Sequence, residues 1–234
     1  MNGYRNIPYR ISKLITNRDW INHFTALLNP TTTCVLPRYV QPLIEIPILD
    51  NPITSLEIGA ALIKLKSNKS PGPDGLPNEF FKHANTDLWR KILYLFNKIL
   101  DEQSVPNCFQ TAYCFPLYKK GDINSPNNYR GISFLNTIGK IFSSVILHRL
   151  TLWAYNENIL AESQAGFRPH YSTMDNISVL LNLIDLRLAK PKQKLYVFFI
   201  DFTAAFDSIN RSLLIYKLIQ TGVSTKVTRL IENL

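Results

Sequence analysis

The stretch YVFFIDFTAAFDSI, residues 196–209, decides the fold. It sets five bulky apolar or aromatic residues in a row, Tyr196 to Ile200, and ends them on Asp201. Such a run reads as a buried strand, with Val197, Phe199 and Asp201 on one face and Tyr196, Phe198 and Ile200 on the other. Asp201 then stands at the carboxyl end of the strand. An ionised carboxylate there is costly unless a cation, a ring of donors or water lies beside it. Which of these it has decides whether the chain belongs to an enzyme.

Composition sets the limits around that strand. The chain has 234 residues, of which 46% are hydrophobic and 12% aromatic, enough for a sizeable core and against a disordered tail. Lys and Arg number 26 against 17 Asp and Glu, a net charge of +9 that favours a polyanionic partner, most commonly nucleic acid. No stretch reaches the roughly 18 apolar residues of a membrane span, and the start MNGYRNIPYR lacks the apolar centre of a signal peptide. The expectation is a soluble, intracellular protein with no membrane partner. Cys34, Cys108 and Cys114 are odd in number and lack metal-ligand spacing, which argues against a disulfide framework and a zinc site.

Upstream of the strand the chain reads as a series of helices and one hairpin. TNRDWINHFTALLN, from Thr16, puts Trp20, Phe24, Leu27 and Leu28 on one helical face, capped by Asn17 or Thr16. PTTTCVLPRYVQPLIEIPILDNP (30–52) carries five prolines in 23 residues and reads as an extended surface linker. In TSLEIGAALIKLKSNK, Thr54 and Glu57 have capping-box spacing, and Leu56, Ala60 and Ile63 form a stripe with Leu62 and Leu65 alongside. NKSPGPDGLPNEFFKH (68–83) is a stiff turn leading into a short helix that starts at Asn78 or Pro77 and presents Phe80 and Phe81 to the core. The turn is either purely structural, or it joins Lys64, Lys66 and Lys69 to exposed backbone amides suited to a phosphate backbone. TDLWRKILYLFNKILDEQ spaces Leu88, Ile92, Leu95, Phe96 and Ile99 for core packing.

Residues 111–118 and YRGISF (129–134) read as two strands joined through KKGD and NSPNN. That hairpin brings Lys119 or Lys120 towards Arg130, either as a clamp for a triphosphate or as charges that keep an edge soluble. A helix from about Ile138 to Tyr155 turns Ile141, Phe142, Val145, Ile146, Leu150 and Trp153 inward, with Lys140, His148 and Arg149 among them. In AESQAGFRPHYSTMDNISVLL a turn carries Gln164, Phe167 and Arg168 ahead of a helix capped near Ser172 or Thr173. Gln164 and Arg168 either touch a nucleic-acid strand or brace the turn.

Taken in order, KSPGPDGLPNEFFK, FPLYKKGD with NYRGISFLNTIGKIF, SQAGFRPHYSTMDNI and YVFFIDFTAAFDSI resemble the reverse transcriptase domain of non-LTR retrotransposons, particularly the jockey-like and related lineages. The resemblance covers 54–234. It implies an α+β, helix-rich right-hand polymerase fold, with fingers over 54–193 and the first part of the palm over 194–234. Residues 1–53 resemble the segment that precedes the polymerase, a linker with one helix. The implied activity is RNA-directed DNA synthesis, dependent on Mg2+, with an RNA template, a DNA primer and deoxynucleoside triphosphates as partners.

The resemblance also assigns residues. Asp201 matches the first metal-binding, catalytic aspartate, with the Phe202 carbonyl sharing in one ion. Phe206 matches the aromatic residue beneath the nucleotide sugar, and Lys119 and Arg130 match the finger residues on the triphosphate. Lys69, Gly72, Gln164 and Arg168 fall where the template is held. Asp207 is expected to cap a helix starting near Asn210. Two departures stand out. The paired aspartates of a later palm hairpin, and the Gly-rich segment before them, are not in this sequence, and Gly131 replaces a proline that follows the arginine in many relatives. The chain is therefore expected to be inactive alone, ending within an amphipathic helix. A non-catalytic RNA-binding module and a helical protein-interaction module are the alternatives.

Overall fold

The computed structural model describes residues 11–29, 43–190 and 192–234. The opening MNGYRNIPYR and residues 30–42, with Cys34 and most of the proline-rich stretch, lie outside the described residues. Two compact units divide the chain: one runs to Thr151 and takes up Phe206–Leu234, and the other is Leu152–Ala205.

Helix starts follow the local sequence closely. Helix α1 (Asn17–Leu28) opens on Thr16, whose hydroxyl accepts from the Asp19 N–H while the Asp19 carboxylate accepts from the Thr16 N–H. That hydroxyl's hydrogen bond also holds the Asp19 carboxyl below its ordinary range. After a single turn, α2 (Pro47–Asp50), helix α3 (Ser55–Lys64) repeats the reciprocal cap with Thr54 and Glu57. Helix α4 (Asn78–Lys82) starts after Pro77, and α5 (Thr86–Glu102) is capped by Asn85. Strands β1 (Ala112–Tyr118) and β2 (Tyr129–Leu135) pair antiparallel, and α6 (Thr137–Asn156) follows. Helix α7 (Thr173–Leu188) again carries a capping box, Ser172 with Asp175. Helices α8 (Arg211–Gln220) and α9 (Thr225–Glu232) end the chain.

The core of the first unit gathers Ile58, Ala61 and Leu62 of α3, Ile92, Phe96, Ile99 and Leu100 of α5, and Ile141, Phe142, Val145 and Ile146 of α6. Phe96 and Phe142 meet edge to face at 5.1 Å. Phe81 is buried as expected, whereas Phe80 is half exposed. Helix α9 closes on this core with Val227 and Leu230, and Lys226 pairs with Asp101 of α5 at 3.4 Å.

The stripe Leu56, Ala60 and Ile63 faces solvent, with Leu56 86% exposed, and the opposite arc Ile58, Ala61 and Leu62 is buried. Both arcs are apolar enough to pack. Glu57, flanking the buried arc, selects between them through its partner Arg149. The described part of the proline-rich stretch is not a surface linker: Leu49 is wholly buried, the Ile44 carbonyl accepts from the Thr225 N–H, and the Ile44 N–H donates to the Thr225 hydroxyl. Asn210, not Asp207, caps α8, because an N-cap acceptor must reach the N–H of the third helical residue and the Asn210 side chain accepts from Leu213 at 2.9 Å.

Arg149 of α6 is 5% exposed and donates five hydrogen bonds to described residues. Its Nε and Nη2 donate to the two carboxylate oxygens of Glu57 at 2.5 and 2.9 Å. Its Nη1 donates to the Leu49 and Asn51 carbonyls at 3.0 and 2.6 Å, and Nη2 also to Pro52 at 3.1 Å. Burial works against the Glu57 charge, but the bonds from Arg149 and Thr54 outweigh it and lower its pKa from the ordinary 4.5 to about 2.

A second tie fixes the loop before α4. The Asn136 side chain accepts from the Asp74 N–H at 3.0 Å and donates to the Cys108 carbonyl at 2.8 Å. Thr137 Oγ1 donates towards the Leu76 carbonyl and the Asn78 side chain, both at 3.0 Å. Gly72 lies against this junction so closely that a Cβ would fall 2.5 Å from Leu135 and Asn136 backbone atoms.

The second unit contains the end of α6, a turn-rich segment and α7. Among its described residues only Trp153 is buried. The expected strand at 196–201 is not formed: these residues are in neither helix nor strand, and Phe199 is 85% exposed. A strand needs a neighbour for its N–H and C=O groups, and among the described residues the one sheet is β1 with β2.

Two outcomes are expected. Because the folded pKa of Glu57 lies below its unfolded value, its contribution is complete above about 4.5 and is lost as pH falls towards about 2. Urea midpoints measured down that window should fall for the native chain and fall less for Glu57→Gln; equal slopes would remove Glu57 from the account. Gly72→Ala should lower stability by about 1–3 kcal/mol, since the groups it meets are backbone and cannot swing aside. An unchanged midpoint would show that the loop can yield.

Candidate nucleic-acid interface

The hairpin has two different faces, and the register assigns every residue to one of them. Leu117 lies opposite Arg130, Tyr118 opposite Tyr129 and Pro116 opposite Gly131. Pairing continues one residue further, where the Lys119 N–H donates to the Asn128 carbonyl at 2.8 Å. With a side-chain period of two, Lys119 shares a face with Leu117 and Arg130, and Lys119 and Arg130 become diagonal neighbours. Lys120 lies beyond the pairing, in the turn. Between Lys119 and Lys120, the geometry therefore favours Lys119 as the partner of Arg130.

That face also carries Tyr113, Phe115, Ile132 and Phe134 by the same register. Phe115 and Phe134 meet edge to face at 6.4 Å, and Leu117 and Ile132 are each 37% exposed. Lys119 and Arg130 are both exposed at its open end. The result is a half-apolar platform ending in two cations. A planar guanidinium and a mobile ammonium so placed suit the oxygens of a phosphate chain.

The other face is covered by α1. Trp20 meets Tyr129 edge to face at 4.8 Å and stacks on Phe24 at 5.9 Å. The Tyr129 hydroxyl donates to the Ile123 carbonyl at 2.8 Å and accepts from the Ser12 N–H at 3.1 Å. His23, one turn along, has its Nε2 buried without a hydrogen-bond partner among the described residues. Burial, and then the positive charge of Lys119, hold its pKa below the ordinary range.

The other sequence-derived site residues are placed as follows. Lys69 is exposed at the start of the loop that carries Gly72, and Gly72 serves the close backbone approach described above. In the second unit Arg168 is engaged internally. Its Nη1 donates to the Ala161 carbonyl at 2.9 Å, its Nη2 reaches Glu162 at 3.3 Å, and its guanidinium lies 4.0 Å from the Tyr171 ring centre. Tyr171 also donates to Glu162; that bond, and then those from Arg168, lower the pKa of the carboxyl, and the bond to Glu162 raises that of the phenol against the opposing charge of Arg168. Gln164 Nε2 donates to the Gly166 carbonyl at 3.2 Å. Of the two readings of this turn, bracing is the one visible in the geometry.

Asp201 and Phe202 stand exposed in the extended run, and Phe206 occupies a turn with 63% exposure. Among the described residues no three His, Cys, Asp or Glu side chains come together as a metal centre. A single carboxylate and a carbonyl do not fit the requirement of a two-ion site for several oxygen ligands, so the residues present do not by themselves hold the metals. Sequence reasoning missed Arg149 as a hub and Asn136 as a splice. The Arg149 signal was a cation at an inward position of the α6 stripe, which demands partners.

Comparison with known proteins bears on this arrangement. Residues 118–234 match the family described as reverse transcriptase (RNA-dependent DNA polymerase). The chain is 34% identical over 231 residues to the probable RNA-directed DNA polymerase from transposon BS of Drosophila melanogaster, covering 92% of this chain and 25% of that protein. It is 25% identical over 190 residues to the RNA-directed DNA polymerase from mobile element jockey of the same fly, 80% of this chain and 21% of the relative. With the Transposon TX1 149 kDa protein of Xenopus laevis the identity is 31% over 175 residues, 71% of this chain and 12% of that one. The chain thus spans a quarter or less of the length of these relatives. It belongs to the reverse transcriptase family, beside the proteins of non-LTR transposons.

Proposed function

We propose that this chain is the nucleotide-gripping, amino-terminal part of an RNA-directed DNA polymerase encoded by a non-LTR retrotransposon, with RNA template, DNA primer and deoxynucleoside triphosphates as partners of the longer protein. The observation that carries the reading is the diagonal placement of Lys119 and Arg130 on the open face of the hairpin, within the matched family segment. In this reading residues 54–193 are the fingers, and the chain from 194 begins the palm. Lys119 and Arg130 bind the triphosphate and orient it, with Arg130 supplying a fork and Lys119 a point charge. The Lys69 and Gly72 loop lies on the template path, where Gly72 keeps the loop flat against the β2–α6 junction and Lys69 faces the backbone phosphates.

Reverse transcriptases generally use divalent metal ions, and Mg2+ is the ion we assign to the complete polymerase. Asp201 contributes one carboxylate and the Phe202 carbonyl one oxygen. The remaining ligands come from elsewhere in the longer protein, so this chain alone extends no primer. Phe206 lies beneath the nucleotide sugar. Its exposure argues against the alternative that its ring simply fills the core.

Three measurements test the reading. Affinity of the chain for a labelled RNA–DNA hybrid should fall about tenfold or more between 50 and 200 mM salt, because phosphate neutralisation releases counterions. Binding indifferent to salt would support a protein-interaction module instead. Lys119→Ala and Arg130→Ala should each weaken binding of inorganic tripolyphosphate several-fold, while Lys120→Ala changes it little; three equal effects would dissolve the assigned pair. In the longer parent protein, Phe206→Val should raise the ratio of ribonucleotide to deoxynucleotide incorporation, and an unchanged ratio would remove Phe206 from the sugar.

A further inference from the structure

We infer that α1, which precedes the matched family segment, is a positioning element for the triphosphate-binding face, acting through the contact between Phe24 and Gly131. The inference rests on the assignment of Lys119 and Arg130 to the triphosphate. Gly131 is the β2 residue next to Arg130 and points to the opposite face of the hairpin. A Cβ added there would lie 2.8 Å from Phe24 Cε1 and 3.1 Å from Cys114 Sγ, so the ring occupies the space that any other side chain would need. The absence of a side chain at 131 is therefore what lets the helix seat against the strand.

The seat is fixed at the end of the hairpin where the strands connect. There Trp20 meets Tyr129, the residue on the other side of Arg130, and the Tyr129 hydroxyl is bonded both to Ser12, ahead of α1, and to Ile123 in the connection between the strands. The Ser12 hydroxyl donates to Asn124 in that same connection at 2.7 Å. At this same end Lys119, one residue beyond the Tyr118–Tyr129 pair, is near enough for its charge to be felt by His23 of α1. Arg130 thus sits between two residues, Tyr129 and Gly131, that are both held from behind by α1. A two-stranded ribbon is marginal alone and twists freely, so the angle between diagonal side chains on its free face depends on what covers the other. Seating α1 fixes that twist, and with it the separation of the guanidinium and the ammonium.

The test uses the full chain and inorganic tripolyphosphate, with each variant measured at a temperature where circular dichroism shows it folded. Gly131→Ala should weaken binding about fivefold, in the range of coupled contacts, although it removes no charge and faces away from the ligand. Adding Phe24→Leu, which removes the colliding Cε1 atom, should restore most of the lost affinity in the double variant. The salt dependence of binding should stay that of the native chain throughout, because both cations remain. If Gly131→Ala lowers the melting temperature but leaves affinity unchanged, or if Phe24→Leu fails to restore it, α1 is only a cover and the inference is overturned. If instead Lys119→Ala and Arg130→Ala leave tripolyphosphate binding intact, the triphosphate assignment itself fails, which is a distinct result.

Discussion

A buried guanidinium organises the first unit. Arg149 arrives in the interior as part of α6, and taking such a charge out of water is tolerable only when the cation is paired and its N–H groups are met. Glu57 and the carbonyls of Leu49, Asn51 and Pro52 meet them. Every other choice nearby follows. Helix α3 must rotate Glu57 towards α6, which buries Ile58, Ala61 and Leu62 and leaves Leu56 and Ile63 outside. The segment from Leu49 to Pro52 must turn its carbonyls inward, which draws α2 into the core and places Asp50 where the Ser224 hydroxyl can donate to it at 2.6 Å. Through that bond and the Ile44–Thr225 pairing, the start of α9 is attached to a segment more than 170 residues earlier.

The hairpin shows how one small sheet separates two tasks. Its covered face is aromatic, with Tyr129 and Gly131 beneath Trp20 and Phe24, and with Cys114 on the same face still exposed. Partial desolvation, and then the negative charge of Asp207, keep the Cys114 thiol in its protonated form to higher pH than usual. Its open face keeps cations in water, where their charge is available at no desolvation cost until a ligand arrives. Strand alternation makes this division possible within seven residues per strand, and the Lys119–Asn128 hydrogen bond extends it just far enough to bring Lys119 onto the right side.

What the sequence made legible was what short-range chemistry settles. The box expected at Thr54 forms within four residues, and of the caps left open at Thr16 or Asn17 and at Ser172 or Thr173, Thr16 and Ser172 serve, each also in a box. The two strands of the hairpin were visible from alternation and turn residues. Less legible were choices made by distant partners. Nothing near α3 distinguishes its two apolar arcs, since the deciding contact is to Arg149, 92 residues away. Asp207 and Asn210 are both good caps, and the choice depends on where the turn of 203–208 ends. The run at 196–201 has a strand's composition, yet composition supplies no neighbour to pair with. The family motifs include Gly131 but not Phe24, so the fit between the two could not be read from them.

The exposed run ahead of Asp201 has a consequence for the chain as a substance. Tyr196, Val197, Phe198, Phe199 and Ile200 form an uncharged window of high β-propensity, without proline, whose backbone is in no ladder. Such windows template intermolecular pairing, strand on strand, between copies. Only the two charges that bracket it, Lys194 and Asp201, oppose stacking in register, by setting like charges against each other in adjacent copies. The carboxylate that gives the motif its chemistry is thus also a gatekeeper of solubility, and replacing it with a neutral residue tilts the isolated chain towards aggregation.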